Sequence, residues 1–151
     1  MKTIALRFAD FIAPEEGTIQ AHDNMIVSKG YVWYGKIGSA IADSAVEMVL
    51  DNEEPRILLI HSGTQKRYWA FVDAISREYP GSGEYPSYYE DKADKVKSWI
   101  RVTKFEPASN DILSKCTVMS SGQPLSNVSR HSMSPYYKIE IPDSELNLKE
   151  K

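Results

Sequence analysis

Of all the segments in this 151-residue chain, Arg56–Ile75 most restricts the folds open to it. Arg56 to Ile60 (RILLI) follows Pro55 as a short continuous apolar run, the pattern of a strand buried on both faces. His61-Ser62-Gly63-Thr64 then makes a turn into Lys66 to Ile75 (KRYWAFVDAI). As a strand, that segment places Trp69, Phe71, Asp73 and Ile75 on one face and Ala70, Val72 and Ala74 on the other. Large side chains on one face and small ones on the other suit a sheet that curves and closes on itself.

The remaining segments are short and mostly β-like. Lys2 to Phe8 reads as a first strand, interrupted beyond its end by Pro14 and Glu15-Glu16-Gly17. Met25 to Gly38 is rich in β-branched and aromatic residues and reads as a strand carrying Tyr31, Val32, Trp33 and Tyr34. Ser44 to Leu50 has Ala45, Met48 and Val49 at helical spacing, with Asp43 or Ser44 as cap. Tyr79 to Lys95, with two prolines, two glycines and Tyr85, Tyr88 and Tyr89, is a long connection. Its tyrosines either form a lid or staple the loop to the body.

Val96 to Phe105 alternates as another strand, and Asn110 to Cys116 is a short helical turn capped by Ser109 or Asn110. Ser120 to Ser134 is polar and loop-like, Tyr136 to Ile141 is a last strand, and Asp143 to Lys151 reads as a frayed tail. The expected fold is α+β and β-dominated: a small, partly open pseudo-barrel of five or six strands with short peripheral helices. One domain is expected over residues 1–142.

Composition narrows the class. With 42% hydrophobic and 26% charged residues the chain is globular, and it is long enough to bury a core without disulfide or metal staples. A single cysteine, Cys116, permits no internal disulfide framework and fits a reducing compartment. No apolar run approaches a membrane span, and the N-terminal MKTIALRFADF lacks the features of a secretion signal, so a cytoplasmic protein is expected. The net charge of -3 is unevenly spread. Met1 to Glu54 holds four Lys/Arg against nine Asp/Glu, whereas Lys97 to Lys138 holds six against two, and Ile112 to Pro135 has no acidic residue. Such asymmetry places a basic face on an acidic protein or simply a solvated surface.

Three motifs carry a family resemblance: GYVWYGKIG (Gly30 to Gly38), ILLIHSG (Ile57 to Gly63) and SRHSMSP (Ser129 to Pro135). In order and rough spacing, across about Tyr31 to Ile141, they resemble the PUA-like superfamily, with the EVE branch closest. The resemblance implies a pseudo-barrel with a concave, aromatic-walled site. EVE and YTH members hold a modified base in such a site, other relatives bind structured RNA, and EVE-like domains also occur beside restriction nucleases. The chain departs from the usual pattern in its first thirty residues and in its tyrosine-rich loop.

A base is read by an aromatic platform and by donors or acceptors on its edge, while phosphate contacts supply much of the affinity. The base-binding candidates are Trp33, Tyr34, Ser62, Gly63, Trp69 and Met133. Trp33 and Tyr34 point to opposite faces of one strand, and Trp33 is placed in the pocket. Ser62, ending a buried strand, offers a hydroxyl, and the backbone N–H groups of Ser62 and Gly63 are offered to a base edge; the bland alternative is a turn serine. Trp69 and Trp99 suit the core equally. Lys36, Arg130 and Ser132, with His131 beside them, are the phosphate candidates.

No metal or cofactor is expected, because His22, His61 and His131 lack ligand spacing and no phosphate-cradling glycine loop is present. The expected partner is a nucleic acid, DNA or RNA and open to base modification, with any effector activity in a separate protein. No convincing catalytic constellation stands out. The main rival is a protein-interaction or regulatory domain using the acidic N-terminal half and the tyrosines.

Overall fold

The computed structural model describes residues 1–11, 13–132 and 134–146. Among these residues, seven strands form one sheet: β1 (Lys2–Phe8), β2 (Val32–Ile37), β3 (Arg56–His61), β4 (Arg67–Ser76), β5 (Val96–Pro107), β6 (Thr117–Val118) and β7 (Tyr137–Glu140). Their order across the sheet is β2-β5-β4-β3-β1-β7-β6. β1 runs parallel to β3, and every other neighbouring pair is antiparallel. Seven strands replace the five or six expected. The addition, β6, is two residues long, too short to show any alternation, and is held by pairing with β7. The barrel is not closed, because β2 and β6 remain as two edges.

The central pair behaves as its residue pattern dictates. Ile57 and Leu59 of β3 enter one core with Ala70 and Val72 of β4, while Leu58 and Ile60 enter a second core with Trp69 and Phe71. The first core also takes Ile4, Leu6 and Phe8 of β1, Val32 and Tyr34 of β2, and Ile100 and Val102 of β5. Side chains from five strands meet there, so the sheet wraps around this interior. The small inward residues of β4 permit that curvature. One expectation for β4 fails: the register slips between Val72 and Ala74, and Ile75 ends on the inner side with Val72 instead of sharing a face with Trp69 and Phe71.

Among the described residues, four α-helices cover the sheet: α1 (Thr18–Lys29), α2 (Asp43–Leu50), α3 (Ile112–Lys115) and α4 (Leu125–His131). α2 seats Ala45 and Val49 in the inner core, and α3 and α4 cover the outer one with Ile112 and Leu125. Two sequence expectations are corrected. Met25–Lys29 is the end of α1 and not the start of a strand, because α1 buries Thr18, Ala21 and His22 while Val27 stays 82% exposed. Its fully buried positions are small or polar, and Ile19, Met25 and Ile26 pack only partly buried against the inner core, so the apolar period is weak. Ser120–Ser134 contains α4, a helix anchored by Leu125 alone among its fully buried residues. The expected caps on α2 and α3 are absent as well, since neither helix has a side-chain cap hydrogen bond.

The tyrosine-rich connection staples. It includes a 3-10 segment, Ser87–Lys95, and sends Tyr85 and Tyr89 into a third cluster with Val96 and Trp99. Beyond β7, Asp143–Glu145 forms a 3-10 turn tied to the start of the chain through Asp143 and the N-terminal amine.

Candidate functional site

The open seam holds a cleft of about 210 Å³. β2 and β1 are four places apart in the sheet, yet Leu6–Ala9 of β1 and Tyr34–Ile37 of β2 both line it. Thr18 from the start of α1, Tyr88 and Tyr89 from the 3-10 segment, and Pro135 before β7 complete the wall. The cleft exists because the curled sheet brings its free edge back toward β1 without pairing.

β2 decides which side chains reach it. Strand alternation sends Tyr34 and Lys36 inward and Trp33 outward, where Trp33 packs on Tyr85, Tyr89, Val96 and Trp99. Trp33 therefore does not line the cleft. Tyr34 does, and it contacts the His22 ring at 5.2 Å. Tyr88 and Tyr89 stack on each other with centroids 4.7 Å apart. Burial raises the pKa of all three phenols, with Tyr88 adding to the effect on Tyr34 and Tyr34 to that on Tyr89. At neutral pH the wall thus presents protonated hydroxyls.

Lys36 is the unusual member. It is only 6% exposed, its Nζ donates to the Ser39 carbonyl at 2.5 Å, and it lies 5.9 Å from the Tyr136 ring centroid. No carboxylate forms an ion pair with it among the described residues, and burial pulls its pKa down. A nearly buried cation without a counter-ion is costly unless it is hydrogen-bonded, and here the Ser39 carbonyl and the Tyr136 ring are its partners, which leaves Lys36 a candidate contact for an anion.

Next to the Ala9 and Thr18 end of the cleft, a carboxylate is engaged internally. Asp10 accepts a hydrogen bond from the Thr18 N–H at 3.0 Å and pairs with His61 Nε2 at 2.9 Å. Burial alone would raise its pKa, but the hydrogen bonds from Thr18 and the charge of His61 hold it below the usual carboxylate range. This carboxylate already fills the anion seat at the start of α1. His61 in turn stacks on Phe8 at 4.7 Å and 7°.

Behind the wall lies His22, fully buried. Its Nδ1 faces the Thr18 carbonyl at 2.7 Å, so Nδ1 carries the proton and Nε2 is a bare acceptor without a partner among the described residues. Desolvation lowers its pKa to about 4.

The other predicted residues are dispersed. Ser62 and Gly63 sit exposed in the β3–β4 turn, and the Ser62 N–H is not free for a base edge because it donates to the Phe8 carbonyl at 2.8 Å. Trp69 is buried in the outer core, on the far side of the sheet from the cleft, as its alternative core reading has it. Met133 lies outside the described residues. Arg130 and His131 are exposed at the end of α4, and Arg130 makes no ion pair among the described residues. Ser132 leads toward Pro135, with its Oγ 3.0 Å from the Ser134 hydroxyl and its carbonyl accepting from Tyr137.

Sequence reasoning did not name Arg7, Tyr88 or Tyr89 as ligand-contacting residues. Arg7 contributes to the cleft lining, while its Nη2 donates to the Ser129 carbonyl of α4 and its guanidinium lies 5.5 Å from the Tyr137 ring centroid. Tyr88 and Tyr89 were visible only as loop aromatics. Among the described residues, no cluster of His, Cys, Asp or Glu fits a metal ion, and no helix is long and apolar enough to cross a membrane.

Comparison with curated proteins and with solved structures finds no match for this chain. A family model described as Pua-like matches residues 4–149, nearly the whole length. The curled seven-stranded sheet agrees with that assignment, and the chain belongs to the Pua-like family.

Proposed function

We propose that this domain is a nucleic-acid-binding module that receives one base in the β1–β2 cleft. Family membership supports nucleic-acid binding in general, and Lys36 is the observation that favours this cleft. Tyr34, Tyr88 and Tyr89 supply π faces and hydroxyls for a base, and Lys36 supplies a cation for a phosphate or a base acceptor edge. Arg130, exposed at the end of α4 and without an ion pair among the described residues, is the further candidate for a backbone phosphate. A modified base is the finer form of the reading, since an aromatic wall favours added apolar surface. The domain acts by binding, and chemistry on the nucleic acid comes from another protein.

The test is fluorescence anisotropy with labelled single- and double-stranded DNA and RNA, with and without methylated bases, at low and moderate salt. Lys36→Met keeps the aliphatic stem and removes the charge. It is expected to weaken binding about tenfold, and Arg130→Ala to weaken every sequence alike and reduce the salt slope by about 1. Absence of binding to every oligonucleotide at low salt rejects the reading and moves the protein-interaction alternative forward.

A further inference from the structure

The tyrosine segment borders a second concavity. Ser87–Lys95 sends Tyr88 and Tyr89 to the cleft, while its Glu90, Asp91 and Asp94 line a broad groove of about 620 Å³. Trp99 and Tyr79 supply the aromatic part of that lining. Trp99 is buried, but Tyr79 is 55% exposed and is held in place all the same. Its hydroxyl lies 2.8 Å from that of Tyr85, and its ring meets Trp99 at a centroid distance of 6.2 Å and an interplanar angle of 74°. A ring anchored at its hydroxyl and against Trp99 offers a π face to a partner at little cost in ordering.

The charge of this groove is unbalanced. Glu90 accepts from the Ser82 hydroxyl at 2.8 Å, and none of the three carboxylates forms an ion pair among the described residues. Arg77, the cation in the lining, is already engaged: its Nη2 lies 3.2 Å from Asp43 Oδ1 and donates to the Ile41 carbonyl at 2.9 Å. Lys92 and Lys95 belong to the same segment but are not part of the groove's lining. We infer that this groove docks a basic segment of a protein partner, with an arginine or lysine over the Tyr79 ring and further cations against Asp91 and Asp94. Charge complementarity selects the occupant, since three carboxylates repel a nucleic-acid backbone and attract cationic side chains. The groove shares no lining residue with the cleft, so a separate effector bound here leaves the cleft open. The inference does not depend on what the cleft binds.

The test is fluorescence anisotropy of a short labelled peptide alternating arginine and serine, with a glutamate-for-arginine peptide as control. The arginine peptide is expected to bind wild type, more weakly as salt is raised, and the glutamate peptide not to bind. Asp91→Asn combined with Asp94→Asn should weaken the arginine peptide about fivefold, the effect of losing two exposed ion pairs. Tyr79→Leu should weaken it about threefold, whereas Tyr79→Phe, which keeps the π face, should bind like wild type. Glu15→Gln combined with Glu16→Gln removes the same charge from exposed positions outside the groove and should leave affinity unchanged. Failure of the arginine peptide to bind wild type at low salt overturns the inference. So does equal affinity in wild type and the Asp91/Asp94 variant, or equal weakening by the two charge-removing pairs, which would mean general attraction to an acidic protein. None of these results bears on oligonucleotide binding, which is measured separately.

Discussion

Acidification should destabilise this domain through one residue, His22. Its ring is wholly buried against Tyr34, Tyr88, Tyr89 and Phe105, none of which supplies a negative charge at neutral pH. Protonating Nε2 would place a cation with an unpartnered donor in that shell, and the pKa accordingly falls from 6.5 to about 4. The unfolded chain takes up the proton near pH 6.5 and the folded one only near pH 4. Stability is therefore full above about 6.5 and declines as pH falls toward 4. At about 1.36 kcal/mol per unit, this gap corresponds to about 3 kcal/mol.

That is a large share of the roughly 5–15 kcal/mol that holds a typical domain together. The assay is urea unfolding, followed by tryptophan fluorescence, at several pH values between 7.5 and 4.5. His22→Phe fills similar space and does not titrate. Asp10 and Glu84, whose pKa values are lowered in the fold, lose their contributions at still lower pH in both proteins, so the difference between the two profiles isolates His22. Wild type should lose stability across this range relative to His22→Phe. Parallel profiles would refute the argument, including its assignment of Nε2 as a bare acceptor.

Further outcomes follow from packing. A Cβ on Gly35 would lie 3.0 Å from Val96 Cγ2 and 3.1 Å from Trp99 Cζ3, so Gly35→Ala should cost about 1–3 kcal/mol in urea unfolding. Wild-type stability in that variant would show that Val96 and Trp99 give way freely. Cys116 is 1% exposed and burial pushes its thiol pKa up to about 12, so it should resist an aromatic disulfide reagent until urea unfolds the chain. Rapid labelling of the native protein would contradict its placement in the outer core.

How much of this was legible in the residues depended on whether local pattern or tertiary context decided the outcome. The β3–β4 pair was legible because its alternation of large and small side chains is itself the cause of the curvature. α1 was not, because it buries Ala21 and His22 and takes its N-terminal partner from Asp10, eight residues upstream. Strand parity already put Trp33 and Tyr34 on opposite faces and Tyr34 with Lys36 on one. Which face looked inward was set by the tyrosine segment that packs over Trp33, a contact made by Tyr85 and Tyr89, far along the chain. Tyr88 and Tyr89 had no periodic signal at all, and only the closing of the curled sheet brings them beside β1 and β2. Ser62 failed as an edge reader for a local reason, since its N–H is spent on Phe8.

The central claim is that the β1–β2 cleft is where nucleic acid binds. Backbone amide chemical shifts of isotope-labelled protein, followed as an oligonucleotide is titrated in at low salt, test it most directly. The account predicts that the changes cluster at Leu6–Ala9, Thr18, Tyr34–Ile37 and Tyr88–Tyr89, and that they fade as salt is raised. Changes centred on the outer core around Trp69 and Ile112, with the cleft silent, would contradict it.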